Sequence, residues 1–221
     1  MTCRSGIHEI KGKSTIEWAR RSGIVEIKGG STVMLMTEYT RIHILGASGA
    51  GTSTLGQELA GVLPHIHLDS DNYFWKQKFT LQSDVVSRIS RLEHDLSTQE
   101  PWILSGAICG WGDVFIPYFD LVIFLWIPQE IRLDRLRVRE AARYGDEIKP
   151  GGSKYEAAQA FLNWAALYDT AGVEVRSKVL HEQWMSQLEC PVLRIEGDFT
   201  VSERVNTVMT YLSHAVSQQE Y

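Results

Sequence analysis

Long apolar runs, cysteine and excess positive charge are all scarce in this sequence. The longest unbroken apolar run, Leu121–Ile127, is far shorter than the ~20 residues that cross a bilayer. Its three cysteines are widely spaced and fit neither a disulfide framework nor a CxxC metal site. With 22 Lys and Arg against 27 Asp and Glu, the net charge is −5, which argues against polybasic binding to nucleic acid or membranes. We therefore expect a cytoplasmic protein that binds neither.

The composition favours one globular domain preceded by an extension. Apolar residues make up 44% and charged residues 22% of the 221 residues, which is the globular range. Residues 4–15 (RSGIHEIKGKST) and 21–32 (RSGIVEIKGGST) agree at ten of twelve positions, so the N-terminus holds a tandem duplication. Two short copies rich in Gly, Ser and Lys cannot bury a continuous apolar face. We expect residues 1–36 to be disordered and 37–221 to form the domain, with a basic interaction arm as the alternative for the extension.

A glycine-rich turn between a strand and a helix is the strongest motif. The run Arg41–Leu45 predicts a buried strand, and Thr52–Leu63 has helical spacing of its leucines. The turn between them fits G-x-x-x-x-G-x-[ST], the pattern of a phosphate-binding P-loop, in which backbone amides and a helix N-terminus face phosphate oxygens. Its candidate nucleotide-binding residues are Gly46, Ala47, Ser48, Gly49, Ala50, Gly51, Thr52, Ser53 and Thr54. Ser53 would bind Mg²⁺, whereas Thr52 stands where the pattern usually has lysine.

Two carboxylates follow the next predicted strand. His65–Leu68 forms a short apolar run, and Asp69 and Asp71 come directly after it. Ligands of doubly wound sheets collect beyond the carboxyl ends of the strands, so both side chains should face the same crevice as the P-loop. We expect one carboxylate to hold Mg²⁺ and the other to orient an acceptor hydroxyl. The alternative is an Asx turn that caps the following segment.

Candidate acceptor-binding residues lie near the predicted strand Trp102–Ser105 and on the amphipathic helix Asp84–Leu96. An arginine of that helix can clamp an anion, a glycine after the strand lets a ligand approach the backbone, and tryptophans can wall a pocket. Solvation of the helix face and core packing of the tryptophans are the alternatives. The candidates are Trp75, Arg88, Gly106 and Trp111.

The second half of the chain alternates in the same way. Asp120–Ile127 is the most apolar stretch and predicts a central strand, and Pro191–Ile195 predicts a fifth strand followed by a last helix. Between them lies an arginine-rich helix that starts near Gln129. With the glycine-rich segment and the helix after it, this region predicts a small helical lid at about 132–170.

Several of these segments together resemble the P-loop small-molecule and nucleoside monophosphate kinase group, which includes adenylate kinase and shikimate kinase. They are GASGAGTST, LDSDNYFW, DLVIFLWIPQEIRLDRLRVRE and LRIEGDFTVSERV. The sequence is particularly similar to adenylate kinase-related proteins whose loop lacks lysine. The resemblance implies an α/β three-layer fold: a five-stranded parallel sheet in the order 2-3-1-4-5, with helices on both faces and a helical lid.

The resemblance also implies roles for individual residues. Arg135 would stack near adenine, Arg139 would contact phosphate, and backbone near Gly197 would lie beside the adenine. Asp69 would support Mg²⁺ and Asp71 would contact the acceptor. Asp71, Arg135 and Arg139 are thus the catalytic candidates of an ATP- and Mg²⁺-dependent phosphotransferase that acts on a small-molecule acceptor. A nucleotide-binding regulatory module without transfer activity is the alternative.

Overall fold

The computed structural model describes residues 24–28, 31–35 and 39–217. In chain order the strands are β1 Ile24–Lys28, β2 Ser31–Leu35, β3 Arg41–Gly46, β4 Ile66–Asp69, β5 Trp75–Gln77, β6 Leu81–Gln82, β7 Trp102–Ser105, β8 Leu121–Trp126 and β9 Val192–Glu196. The α-helices are α1 Thr52–Val62, α2 Asp71–Phe74, α3 Val85–Thr98, α4 Gln129–Tyr144, α5 Tyr155–Ala166, α6 Lys178–Met185 and α7 Val201–Ser217. Short 3₁₀-helices cover Asp113–Tyr118, Gly145–Ile148 and Leu167–Asp169. Within these ranges, no helix is both long enough and apolar enough to cross a membrane.

Five parallel strands form the main sheet in the spatial order β4-β7-β3-β8-β9. The central strand β3 pairs with β7 on one side and β8 on the other, so that Ile42 lies opposite both Ile103 and Leu121. Numbered along the five strands of this sheet, the order is 2-3-1-4-5, which confirms the predicted fold. The carboxyl ends of β3, β4 and β7 therefore meet at one edge.

Alternating side chains of the strands build a separate core on each face of the sheet. Ile42 and Ile44 of β3 and Ile123 of β8 pack with residues of α1 and α7. Leu45 and Phe124 point to the opposite face, where α3, α6 and the 3₁₀-helix Asp113–Tyr118 cover them. The period of two along a strand thus explains why β8 is apolar throughout, since both of its faces are covered.

The boundaries differ from the prediction where polar residues continue an element or start a new one. Asp69 belongs to β4 because it pairs with Ser105 in the sheet. Asp84 lies outside α3 and caps it, because its carboxylate accepts a hydrogen bond from the amide of Ser87. The small hairpin β5–β6 and helix α6 have no counterpart in the prediction.

Part of the N-terminal extension forms a hairpin. Strands β1 and β2 are antiparallel, with Lys28 opposite Ser31 and Ile24 opposite Leu35. Two glycines separate these strands in the sequence, and a two-residue glycine connection is typical of tight hairpins. The expectation of disorder does not anticipate this pairing. The remainder of residues 1–36 lies outside the described residues, and the division into an extension and a domain remains a prediction.

Two histidines are buried in the core in the neutral form. Nδ1 of His43 donates to the Leu104 carbonyl at 2.9 Å, and burial lowers the pKa of His43 to about 4. His181 is bonded to the Tyr168 hydroxyl at 2.9 Å, and burial lowers its pKa to about 3. Nε2 of each ring is buried without a hydrogen-bond partner among the described residues. Protonation of either ring would therefore place an uncompensated charge in the core.

We predict that the protein loses stability as the pH falls below the usual histidine pKa of ~6.5. The unfolded chain binds protons there while the folded one does not, so the free energy of unfolding falls from pH 6.5 down to about pH 4 for His43 and about pH 3 for His181. From pH 7 to pH 5 each ring should contribute a loss of about 2 kcal/mol. Urea unfolding at both pH values measures this loss. His43→Gln should make the loss smaller, whereas His94→Gln, at an exposed position, should not; equal slopes in all three proteins would contradict the assignment.

Candidate functional site

The glycine-rich turn after β3 is packed too tightly for side chains at two positions. A Cβ at Gly46 would lie 2.7 Å from the carbonyl oxygen of Leu125, and one at Gly49 would lie 2.8 Å from that of Arg132. Gly49 and Gly51 have φ angles of 84° and 90°, which favour glycine. The turn therefore needs glycine for its conformation and for its contacts with β8 and α4.

The same turn leads directly into the N-terminus of α1. The amide of Ala50 donates to the carbonyl of Ala47 at 3.0 Å, which closes the turn, and Gly51 is the last residue before the helix. Ser53 and Thr54 are exposed in its first turn, and Thr52 is half-buried. The free amides of a first helical turn attract anions. Thr52 adds no charge, so nothing in the loop itself replaces the lysine of the usual pattern.

A short hydrogen bond joins the loop to the acidic turn that follows β4. The Ser53 hydroxyl donates to Oδ2 of Asp69 at 2.6 Å. The other oxygen of this carboxylate accepts a hydrogen bond from the Asp71 amide at 2.9 Å. The hydrogen bond from the Asp71 amide is the Asx turn that the sequence offered as the alternative to a functional role. The same carboxylate, however, also contacts the loop through Ser53. Both predicted metal-binding side chains lie side by side.

Asp71 sits among charges of both signs. Desolvation by the surrounding protein, and secondly the negative charge of Asp69, raise the pKa of Asp71. The positive charges of Arg176, Lys78 and Arg139 oppose that rise. A carboxylate with a raised pKa is a stronger base than an ordinary one. Asp71 can thus accept a proton from a hydroxyl while nearby cations hold a negative group.

The structure brings Arg135 of α4 close to the loop after β9. Its guanidinium pairs with Asp198 at 2.8 Å, and Asp198 directly follows Gly197. Gly197 has a φ of 133°, and a Cβ there would lie 3.0 Å from the ring of Phe199. Phe199 is 42% exposed. The Gly197 amide donates to the Trp126 carbonyl at 2.9 Å, which fixes this loop. An arginine, a glycine and an aromatic ring thus lie together at one corner, which suits a planar base.

Arg139 lies one helical turn further along α4 and contacts other partners. It pairs with Glu140 at 3.2 Å, and its guanidinium lies 5.6 Å from the centre of the Phe161 ring. Phe161 is stacked on Trp164 of α5, and Arg176 lies 5.5 Å from the Trp164 ring. In the described part of the chain, Arg176 makes no hydrogen bond or ion pair. Two guanidinium groups therefore rest on one aromatic pair, and both influence Asp71.

The remaining acceptor candidates form an aromatic cluster around Arg88. This side chain is buried, donates to the Ser83 carbonyl at 2.8 Å and lies 3.9 Å from the centre of the Phe74 ring. The ring of Trp111 is 5.9 Å from the same guanidinium, whereas Trp75 packs against Phe74 with ring centres 4.9 Å apart. Arg88 thus holds the aromatic cluster together, and its role toward an acceptor stays a prediction.

Gly106 lies where β7 ends, beside the acidic turn. Its φ is 96°, and the Ser70 side chain occupies the space that a Cβ would need. Ser70 in turn donates its amide to the carbonyl of Ser105 at 2.9 Å. The glycine therefore allows the turn between Asp69 and Asp71 to approach β7, and contact with a ligand remains a prediction.

Comparison with known proteins identifies the family. The chain is 63% identical over 172 residues to the Uncharacterized protein YqaC of Bacillus subtilis (strain 168), a match that covers 78% of this chain and 97% of the relative. The chain belongs to the YqaC family. No protein-family model matches it.

Comparison with solved structures shows the fold of this chain. Shikimate kinase from Bacteroides thetaiotaomicron is 18% identical, with a TM-score of 0.50 over 78% of this chain and 98% of that protein. Shikimate kinase from Acinetobacter baumannii, in complex with shikimate, is 17% identical, with a TM-score of 0.49 over 84% and 97%. The first similarity shows that the chain has the P-loop fold of a shikimate kinase.

The motifs of the sequence did not identify three side chains that lie near the site. They are Arg176, Phe199 and Arg204. Arg176 lies in the irregular segment before α6, where no periodicity marks it. Arg204 did carry a signal, because it falls on the apolar stripe of α7 between Val201 and Val208. An arginine on such a stripe is either buried with partners or placed for a function.

We predict that Gly49→Ala lowers the free energy of unfolding by about 2 kcal/mol or more. An alanine would adopt a left-handed conformation and would press its Cβ against the Arg132 carbonyl. Gly61→Ala is the control, because a Cβ at this position of α1 meets nothing within 4 Å. It should stabilise the helix by about 0.5–1 kcal/mol. Urea unfolding measures both, and a neutral Gly49→Ala would mean that the turn is not constrained as described.

Proposed function

We propose that this protein is an ATP- and Mg²⁺-dependent phosphotransferase that acts on a small-molecule acceptor. The observation that carries the proposal is the 2.6 Å contact between the Ser53 hydroxyl and the Asp69 carboxylate at the base of the glycine-rich turn. Phosphoryl transfer requires mainly positioning and charge neutralisation, and these residues supply oxygen donors beside an anion site. The similar solved structure is a shikimate kinase, which agrees with this class of reaction.

The residues present fit a nucleotide. Amides of the turn and of the first residues of α1 would hold the phosphates, because the glycines leave no Cβ between the backbone and an anion. Arg135 and the backbone at Gly197 would flank the base, and the exposed ring of Phe199 offers it a stacking surface. The Gly197 carbonyl would accept a hydrogen bond from the base, since the Gly197 amide already donates to the Trp126 carbonyl.

The donor set also fits Mg²⁺. Ser53 and Asp69 offer hard oxygen atoms, and Mg²⁺ typically takes one or two protein ligands and fills its shell with water and phosphate oxygens. The described residues contain no group of three or more His, Cys, Asp or Glu side chains that would form a complete protein cage. When bound, Mg²⁺ would neutralise phosphate charge. Ser53 would exchange its hydrogen bond to Asp69 for a metal contact.

Asp71 would orient the acceptor hydroxyl and accept its proton. The charges around Asp71 indicate a second chemical group on the acceptor. Arg139, Arg176 and Lys78 all act electrostatically on this one carboxylate. Arg176 in particular lies on the Trp164 ring without a carboxylate partner within the described residues. We therefore infer an acceptor with a hydroxyl group and a negatively charged group.

Thr52 favours a second candidate, a regulatory module that binds a nucleotide without transferring phosphate. A loop without lysine keeps its anion-binding amides but loses a point charge at the phosphates. The two candidates differ in whether an acceptor is modified.

We predict that incubation with Mg·ATP and a set of small hydroxylated acids and nucleotides yields a phosphorylated product detectable by ³¹P NMR. Asp71→Asn should slow transfer by about 10²- to 10⁴-fold and change ATP affinity by less than about twofold, because it removes a base and not a phosphate contact. Asp69→Asn should instead raise the Mg²⁺ concentration that is required.

Asp134→Asn is the matched control, because Asp134 is exposed and pairs with Arg137 on the same helix. It should alter neither quantity. ATP binding without any product would support the regulatory module, and absence of ATP binding would contradict both candidates.

We further predict that Arg176→Gln raises the KM for the acceptor by about tenfold or more, with a smaller effect on the KM for ATP. Loss of a hydrogen bond to a charged group costs about 1.5–3 kcal/mol. Steady-state kinetics with the acceptor found by ³¹P NMR measure both constants. Arg137→Gln on the exposed face of α4 is the control. A rise confined to the KM for ATP would place Arg176 on the nucleotide side instead.

A further inference from the structure

The side chain of Arg204 contacts the glycine-rich turn after β3, although Arg204 belongs to α7. Its Nη1 donates to the carbonyl of Ala50 at 2.8 Å, and lies 3.1 Å from where a Cβ of Gly51 would be. The residue is 3% exposed. A guanidinium is therefore buried directly against the two residues that lead into α1.

Among the described residues, no carboxylate forms an ion pair with this guanidinium. Nη2 of Arg204 is buried and has no hydrogen-bond partner within the described residues. Asp198 is the acidic group that acts on Arg204, but it forms its ion pair with Arg135, and Arg135 itself repels Arg204. Burial lowers the pKa of Arg204. A buried cation without a carboxylate costs free energy unless an anion binds nearby.

We propose that Arg204 is the residue that compensates for the missing lysine of the loop. Its hydrogen bond to the Ala50 carbonyl fixes the backbone where the turn enters α1, so that the amides of this turn stay directed toward the phosphates. It also brings a full positive charge to the α1 N-terminus. Arg204 is thus a positioning residue that favours bound polyphosphate. The role rests on the proposed function, because it presupposes that the loop binds a nucleotide.

This role separates Arg204 from the arginines of α4. Arg135 is 40% exposed at its side chain and is already paired with Asp198, and Arg139 is paired with Glu140. Both would have to leave or share these carboxylates to contact a ligand. Arg204 is fixed by the fold before any ligand arrives, so its contribution does not require lid closure.

The test compares Mg·ATP with adenosine in calorimetric titrations of the full chain. Arg204→Gln should weaken Mg·ATP binding about tenfold or more and change adenosine binding less than about twofold, because only the phosphates interact with the charge. The thermal midpoint without ligand should stay the same or rise, since an unpaired buried charge is removed. Thr52→Lys, added to Arg204→Gln, should restore most of the lost ATP affinity.

Arg137→Gln is the matched control for loss of one positive charge, and it should leave both affinities unchanged. If Arg204→Gln fails to fold, Arg204→Lys replaces it: the charge is kept and a donor is lost, so ATP affinity should fall several-fold while adenosine affinity stays constant.

Each remaining outcome overturns the role. Unchanged ATP affinity in Arg204→Gln, or equal losses for ATP and adenosine, would make Arg204 a structural residue while leaving the proposed function intact. Failure of the unchanged protein to bind Mg·ATP would overturn the role and the proposed function together.

Discussion

The close approach of the glycine-rich turn to two backbone carbonyls determines how the rest of the site is arranged. Gly46 packs against the Leu125 carbonyl at the end of β8, and Gly49 packs against the Arg132 carbonyl in the first turn of α4. These contacts leave no room for a methyl group. The loop, strand β8 and the arginine-rich helix α4 are therefore packed closely against one another at this point.

Arg132 extends this constraint to the predicted lid. It is completely buried, donates from Nε to the Ile127 carbonyl at 3.0 Å and forms an ion pair with Asp169. Asp169 also accepts a hydrogen bond from the indole of Trp126 at 2.7 Å. The two ends of the segment at about 132–170 are thus tied together at the end of β8. Motion of this segment as a lid remains a prediction, and these contacts would form its base.

Charge in the site comes from segments that are far apart in the sequence. Carboxylates lie on the acidic turn after β4, and cations come from α4, from the segment before α6 and from α7. This separation has a physical consequence, because each cation is held by its own element and its own packing. In the function proposed above, these cations would concentrate positive charge around the phosphates although the loop lacks lysine.

The pattern of the sequence located the strands and the loop. Apolar runs of four to eight residues between helical segments predicted all five strands, the resemblance to P-loop kinases implied their order, and the structure confirms both. The spacing of glycines after β3 located the turn, since only glycine tolerates its φ angles and contacts. The strands and the turn depend on residues that are adjacent in the chain or on a single hydrophobic period. The sequence alone is therefore enough to predict them.

Tertiary structure decided which polar side chains meet. The contact between Ser53 and Asp69 spans 16 residues, and that between Arg204 and Ala50 spans 154. Arg88 satisfied the pattern of a ligand clamp, yet it is buried against aromatic rings, whereas Arg176 satisfied no pattern and acts electrostatically on Asp71. Such partners are chosen by packing between distant elements, and the free energy of burying a charge depends on surroundings that local sequence does not specify.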